Sequence, residues 1–261
     1  IFPDGGLAVS DAMAGKFIYF NSDLEYESDI SGFYPSPPSV ISGLDGGAIV
    51  GVKPEFQQNE EGMFMGFVVA RWEPEQAEPS VVYLSNSSPF TPDDLTSMQE
   101  DYIIFGTAPD GTVITSLLSS EVYEFVMWNS EGDELYTIID ENYERVLKTQ
   151  EEIDIETELS NRAMIQQGMP PEMANWEPDP YRTAVGSFAV DGQDRLWVRR
   201  GTIQSPFFDV YDLDGNHLLT AVLDYEEADL GWIVSIEDDK FVAFDANPEY
   251  YSQIFIGDLP E

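Results

Sequence analysis

The sequence contains one histidine and no cysteine, which limits the reactive side chains that it can offer. His217 follows a tight turn at the start of a short apolar run. A Ser-His-Asp apparatus would have to use this residue, and no G-x-S-x-G segment supplies a nucleophile for it. We therefore expect His217 to be an exposed strand residue, and we predict no catalytic residue in the chain.

Carboxylates are the abundant groups that can bind a metal. Asp212, Asp214 and Asn216 resemble the start of a calcium loop, but position twelve, which should carry a glutamate, is Leu223. A hairpin turn is the favoured interpretation. Because 50 of the 261 residues are acidic, chance explains other clusters, so we predict no cofactor and leave Ca²⁺ as an alternative. The clusters are Asp224, Glu226, Glu227 and Asp229, and Glu237, Asp238 and Asp239.

Two adjacent arginines, Arg199 and Arg200, follow Trp197 in a chain with few basic residues. Guanidinium groups can hold an anionic ligand through bidentate contacts. The preferred alternative is an ion pair with carboxylates of neighbouring sheets, because acidic residues are abundant. We name both arginines as candidate ligand contacts and leave the two interpretations open.

A methionine-rich segment with Trp176 offers a second candidate surface. Met164, Met169 and Met173 lie near this tryptophan in the sequence, outside the alternating pattern of the strands. Flexible thioethers beside an aromatic ring suit an apolar surface that covers one face of the fold or binds a partner. We predict Trp176, Met169 and Met173 as partner or ligand contacts.

The charge balance excludes some partners. The 50 acidic residues face 11 basic ones, for a net charge of −39. A field of this sign repels nucleic-acid phosphates and anionic membrane surfaces. A solvated acidic coat, including one adapted to salt, is the favoured explanation, and a surface that collects cations or docks a basic partner is the alternative. No apolar run is long enough to span a membrane.

Paired turns organise the chain into antiparallel strands. Asp191-Gly192 and Asp214-Gly215 each separate two alternating apolar runs, and Asp-Gly favours a hairpin because glycine accepts a positive φ. An earlier pair of turns matches them: Gly132 and Gly215 are 83 residues apart, and Gly111 and Gly192 are 81 apart. Four-stranded meanders of this size predict the blades of a β-propeller.

A helical segment explains the long spacing. Thr149 and Glu152 form a capping-box pattern, and apolar residues then recur at helical spacing within the insertion 143–180. Without the insertion, the spacing fits the roughly 40–50 residues of a blade. We predict one all-β propeller domain over residues 1–261, with about five blades from the turns, in a six-bladed ring or a fragment of one.

The blade motifs also resemble a known group. Residues 188–199 (FAVDGQDRLWVR) and 208–215 (FDVYDLDG) are similar to bacterial six-bladed propellers of the NHL-like and TolB-like set, over roughly residues 102–259. The resemblance implies an exported, periplasmic or extracellular protein. The absence of a starting methionine suits a processed chain.

These observations favour a non-enzymatic binding or scaffold module with a protein or small ligand at one face. A calcium-dependent hydrolase or lyase of the propeller type is one alternative, and a structural subunit of an extracellular assembly is another. A fold shared with enzymes does not by itself assign an activity. An oligomer is compatible with each of these.

Overall fold

The computed structural model describes residues 1–59, 62–90, 102–166, 169–172, 174, 176–201, 205, 207–222, 232–237, 239–245 and 254–260. In these residues the strands form five antiparallel sheets, as the count of turns predicted. A sixth sheet, which the resemblance implied, is not among them. The chain divides into two compact units: Ile1–Leu118, Glu124–Ile139 and Ser187–Val190 form the first, and Ser119–Tyr123, Asp140–Gly186 and Asp191–Glu261 the second. The single domain over residues 1–261 stays a prediction.

The first unit contains three antiparallel meanders and one further strand. Their orders are β1-β2-β3, β4-β5-β6-β7 and β11-β10-β9-β8. The strands are β1 (Leu7–Asp11), β2 (Lys16–Phe20), β3 (Tyr26–Ser31), β4 (Val40–Gly43), β5 (Ile49–Asn59), β6 (Gly62–Trp72), β7 (Val81–Pro89), β8 (Ile103–Thr107), β9 (Val113–Leu117), β10 (Glu124–Trp128), β11 (Glu134–Ile139) and β12 (Ser187–Val190). Buried aromatic and β-branched side chains, including Trp72, Ile49 and Val50, form its core.

The second unit contains the helix and the remaining strands. Its elements are α1 (Gln150–Gln166), β13 (Arg195–Arg199), β14 (Phe207–Asp212), β15 (His217–Val222), β16 (Trp232–Glu237), β17 (Lys240–Asp245) and β18 (Ile254–Asp258). β13, β14 and β15 are successive neighbours in one sheet, and β16, β17 and β18 in another. The side chains of Leu196, Trp197 and Phe208 are buried, and the rings of Trp197 and Phe208 meet edge to face at 5.8 Å.

One five-residue turn recurs along the chain. In each copy the first residue's N–H donates to the carbonyl of the fifth, and the fourth residue's N–H donates back to the carbonyl of the first. The fourth residue has a positive φ, which is why glycine is frequent there. The copies lie at 2–6, 21–25, 108–112, 129–133, 191–195 and 212–216.

This turn corrects the predicted hairpin at Asp191-Gly192. The residue with positive φ is Asp194, at +58°, whereas Gly192 has an ordinary φ. Asp194 is therefore the counterpart of Gly111, and the two residues are 83 apart rather than 81. The prediction for Gly215 is confirmed, since its φ is +84°. The turns at Gly111 and Gly132 are therefore both 83 residues before their counterparts at Asp194 and Gly215.

A helix, Gln150–Gln166, lies within the predicted insertion 143–180, and ion pairs hold it. The ends of the insertion pair as an isolated bridge between Leu147 and Tyr181. The Thr149 amide donates to Glu152 Oε2 at 2.7 Å and the Glu152 amide to Thr149 Oγ1 at 3.2 Å, which completes the capping box. Glu152 also pairs with Arg182 at 2.8 Å. No described side chain of α1 is fully buried, so polar contacts anchor this helix.

Among the described residues, α1 and the other helical segments lack the length and apolar character that a membrane-spanning helix requires.

Candidate functional site

A buried carboxylate in β14 sets the fourth sheet apart from the others. Four sheets share a β-bulge in the pairing of their last two strands along the chain, and in β14 this bulge lies between Val210 and Tyr211. The residue directly before Val210 is Asp209, which is 1% exposed. The equivalent residues in the other sheets are aliphatic: Ile18, Val68 and Val126. The backbone therefore does not require a charge there.

Neighbouring donors satisfy both oxygens of Asp209. Its Oδ2 accepts hydrogen bonds from the Tyr123 hydroxyl at 2.9 Å and from Arg200 Nε. Its Oδ1 accepts one from Thr220 Oγ1 at 2.8 Å. A buried carboxylate is tolerated only with such partners. Because donors from three side chains hold both of its oxygens, Asp209 fixes the orientation of these neighbours.

Two tyrosines extend this network. The Tyr123 and Tyr211 hydroxyl oxygens are 3.2 Å apart, and since Tyr123 donates to Asp209, Tyr211 is left to donate to Tyr123. Burial raises the pKa of Tyr123, and the negative charge of Asp209 raises it further. Burial likewise raises the pKa of Tyr211. Both phenols therefore remain neutral hydrogen-bond donors at physiological pH.

Asp209, Tyr123, Tyr211, Thr220 and Arg200 form one hydrogen-bonded group, the Asp209 cluster, and Arg200 is its solvent-facing member. Its Nε donates to Asp209, its guanidinium lies 5.0 Å from the centre of the Tyr123 ring, and its side chain is 42% exposed. Burial lowers the pKa of Arg200, but the hydrogen bond and charge of Asp209 outweigh this, so the net shift is upward. This ion pair is with the adjacent strand of the same sheet, whereas the preferred interpretation named carboxylates of neighbouring sheets, and the role of Arg200 as a ligand contact stays a prediction.

Arg199 has a different environment. Its side chain is buried, donates to the backbone carbonyl of Val234, and lies 5.1 Å from the centre of the Phe208 ring. These contacts favour a packing role. Its predicted role as a ligand contact stays a prediction, and of the two arginines Arg200 is the one with a surface to offer.

His217 lies at the edge of the cluster on β15. It is exposed, as predicted, and its Nε2 is 3.4 Å from Thr220 Oγ1 and 3.7 Å from Asp209 Oδ1. Its ring meets Tyr211 edge to face at 5.2 Å. The sequence placed His217 correctly on a strand but gave no sign of the buried carboxylate beside it.

The methionine and tryptophan candidates are only partly described. The Trp176 amide donates to the side chain of Asn161 at 2.8 Å, so Trp176 is tied to α1 and is half-buried. Met169 is also half-buried, and Met173 lies outside the described residues. The structure places neither Trp176 nor Met169 in the Asp209 cluster, and their proposed role in binding a partner stays a prediction.

Candidate metal ligands give no site in the part of the chain that the structure describes. There, no group of three or more histidine, aspartate or glutamate side chains is arranged to hold an ion. The cluster from Asp224 to Asp229 and residue Asp238 lie outside that part, and the structure gives no side-chain environment for Glu237. Binding of Ca²⁺ therefore stays untested.

Most of the basic residues form ion pairs within the fold. All eleven lie at described positions, and nine of them pair with carboxylates. Arg199 donates to the backbone carbonyl of Val234. Eleven basic residues cannot pair with most of the 50 acidic ones, and the role of this excess of negative charge stays a prediction.

Comparisons with known proteins give structural likeness only. No family model and no curated protein matches this sequence. A streptogramin B lyase structure is 11% identical, with 99% of this chain and 67% of that chain covered and a TM-score of 0.41. A protein of unknown function from Bacteroides caccae is 11% identical, with coverages of 97% and 72% and a TM-score of 0.40. A protein from Lactobacillus plantarum is 10% identical, with coverages of 99% and 70% and a TM-score of 0.38. Likeness at this level assigns no activity to the chain.

Proposed function

We propose that this chain is a bacterial-type β-propeller, with its five sheets as blades of a six-bladed ring or of a fragment of one, and that it works as a binding or scaffold module. Repetition of one turn and one bulge in successive antiparallel meanders supports this architecture. An experimental structure in which the sheets do not surround a common axis would contradict it.

The Asp209 cluster carries the proposal that the module binds a ligand. A buried ion pair seldom gains stability over aliphatic packing, and three equivalent positions in this chain carry aliphatic residues. The cluster instead holds Arg200 in a fixed orientation at the surface. A rigid donor that is already oriented lowers the entropic cost of binding.

Ligand-induced stabilisation tests this proposal. A panel of small metabolites is screened for compounds that raise the melting temperature, because a ligand at a hundred times its Kd stabilises by about 2.7 kcal/mol. The matched control is the double variant Arg200→Leu with Asp209→Val, which copies the residues of the preceding sheet, Leu117 and Val126. We expect compounds that stabilise the native chain and not this variant. Equal responses of the two proteins across the panel would refute a binding role for the cluster.

The proposed location is the periplasm or the extracellular space, with a small ligand or a protein as the partner. This part rests on the resemblance of the blade motifs to exported propellers. Fractionation of cells that express the gene with its natural upstream sequence tests it, and recovery only from the cytoplasm would contradict it. Light scattering after size exclusion measures whether the module acts as a monomer or as part of an oligomer.

A further inference from the structure

Among the described residues, none forms a hydrogen bond with one edge of the Arg200 guanidinium. Arginine carries five N–H donors, and the Nε donor of Arg200 is bound to Asp209. Nη2 lies 3.8 Å from Asp140 Oδ2, which makes an ion pair but is too long for a hydrogen bond. The end-on edge, formed by the two Nη atoms, thus makes no hydrogen bond to the described residues.

The contacts of Arg200 with Tyr123 and Asp209 fix the orientation of this edge. The guanidinium lies over the Tyr123 ring, and Asp209 is itself held by Tyr123 and Thr220. Arg200 therefore differs from an ordinary surface arginine such as Arg162, whose side chain is equally exposed at 42% but pairs with an exposed glutamate on α1. A guanidinium fixed in this way loses little freedom when a ligand binds.

We infer that the end-on edge of Arg200 binds one carboxylate group of a ligand, through two parallel N–H···O bonds. The planar fork of a guanidinium matches the two oxygens of a carboxylate. Asp140 and the net charge of −39 oppose each additional negative charge, so a phosphate dianion or a polyanion is disfavoured. This inference rests on the proposed function, because it names the ligand class of the same site.

Arginine resonances in nuclear magnetic resonance spectra can test the inference directly. The protein is labelled with ¹⁵N-arginine and titrated with acetate, and with methylphosphonate as the dianionic probe. We expect acetate to shift the Nη signals of Arg200 in a saturable way, while methylphosphonate shifts them less. Arg200→Lys keeps the charge but loses the fork and the Arg200 signal, so binding to all variants is also followed through backbone amide signals. We expect this variant to bind acetate about tenfold or more weakly. Arg162→Lys is the control for exposure and should leave the affinity unchanged.

Two further arms identify the source of the carboxylate and separate the possible failures. Triglycine with a free C-terminus and triglycine with an amidated C-terminus distinguish a peptide carboxylate from a small organic acid; binding of acetate or of the free peptide supports the inference. Tighter binding of methylphosphonate, or equal effects of Arg200→Lys and Arg162→Lys, would overturn it. A neutral metabolite that stabilises the native chain but not the aliphatic double variant would overturn the carboxylate class and leave the binding module standing.

Discussion

Residues 113–139 and 196–222 are two copies of one meander with different interiors. They have the same strand register, the same bulge and the same five-residue turn, with a constant offset of 83 residues. Yet Val126 in the first copy corresponds to Asp209 in the second, and Leu117 corresponds to Arg200. The first copy fills these positions with aliphatic side chains, and the second fills them with an ion pair.

The difference separates what builds the sheet from what is added to it. Turn geometry and apolar alternation are the features that the two meanders share. The ion pair is present in one copy only, so folding does not require it, and its burial carries a desolvation cost. A site placed on a fold in this way is the expected location of function.

The largest predicted effect concerns Asp191, whose counterpart in the first copy is the buried Ala108. Asp191 accepts hydrogen bonds from the Gln193 and Arg195 amides, from Arg195 Nε at 2.7 Å and from Trp197 Nε1 at 2.8 Å. We expect Asp191→Ala to lower the free energy of unfolding by about 3 kcal/mol, because the buried indole N–H loses its acceptor. Urea denaturation measures this loss. Asp212→Ala, at the same position of an exposed turn, is the control and should cost less.

The pH dependence of this loss gives a second readout. Burial raises the pKa of Asp191, but the hydrogen bonds from Trp197 and Arg195 outweigh it, and the net shift is downward. A carboxylate whose pKa is lower in the folded state contributes stability above about pH 4, and this contribution is lost as the pH falls through the folded-state value. The difference between native chain and Asp191→Ala should therefore shrink in acid. A difference that stays constant down to pH 3 would contradict this account of Asp191.

The next effect tests the ion pair itself. Arg200→Leu leaves the buried carboxylate of Asp209 without its cation, and we expect a loss of about 2 kcal/mol, less than for a fully buried pair because Arg200 is partly exposed. Adding Asp209→Val recreates the aliphatic pair of the first copy and should restore most of the stability. Unfolding free energies of the two single variants and the double variant give the coupling. If the losses of the two single variants simply add in the double variant, the aliphatic residues of the first copy cannot replace Arg200 and Asp209 in the second.

Much of the fold could be predicted from the sequence because its signals are local. The apolar runs, the turns around Gly132 and Gly215 and the capping box at Thr149 each depend on residues within a few positions of one another. The turn at Asp191 was misassigned for a physical reason. Asp191 and Gly192 occupy the first two positions of a five-residue turn, and only its fourth residue needs a positive φ.

The candidate site depends on contacts between distant parts of the chain. Tyr123 and Asp209 are 86 residues apart, and no local pattern announces their hydrogen bond. A signal did exist in the repeat: at an offset of 83, Asp209 stands opposite Val126 and Arg200 opposite Leu117. Arg200 could be named as a candidate because basic residues are rare in this chain. Without the correct offset between the copies, however, it could not be distinguished from the buried Arg199.

A smaller effect is expected from removal of the Tyr123 hydroxyl, which donates a hydrogen bond to Asp209 in the second copy. Tyr123→Phe removes the donor to Asp209 Oδ2 and the acceptor for Tyr211. We expect a loss of about 1.5 kcal/mol in unfolding free energy, since the acceptor is charged and buried. Tyr143→Phe is the control, because Tyr143 contacts the Tyr123 ring at 6.3 Å but its hydroxyl makes no hydrogen bond to the described residues. Equal losses for both variants would mean that ring packing, and not the hydroxyl, supports the cluster.

The smallest effect concerns the turn residue that differs between the copies. Gly111 and Asp194 occupy the same position with φ of +88° and +58°. A Cβ on Gly111 would approach only the Ser130 side chain, at 3.7 Å, so Gly111→Asp should cost about 1 kcal/mol through backbone strain alone. Asp194→Gly should gain less, about 0.5 kcal/mol, because glycine also increases the entropy of the unfolded chain. Thermal and urea denaturation of both variants measure the two changes. A loss of stability in Asp194→Gly would show that the Asp194 side chain contributes an interaction that the glycine turn of the first copy lacks.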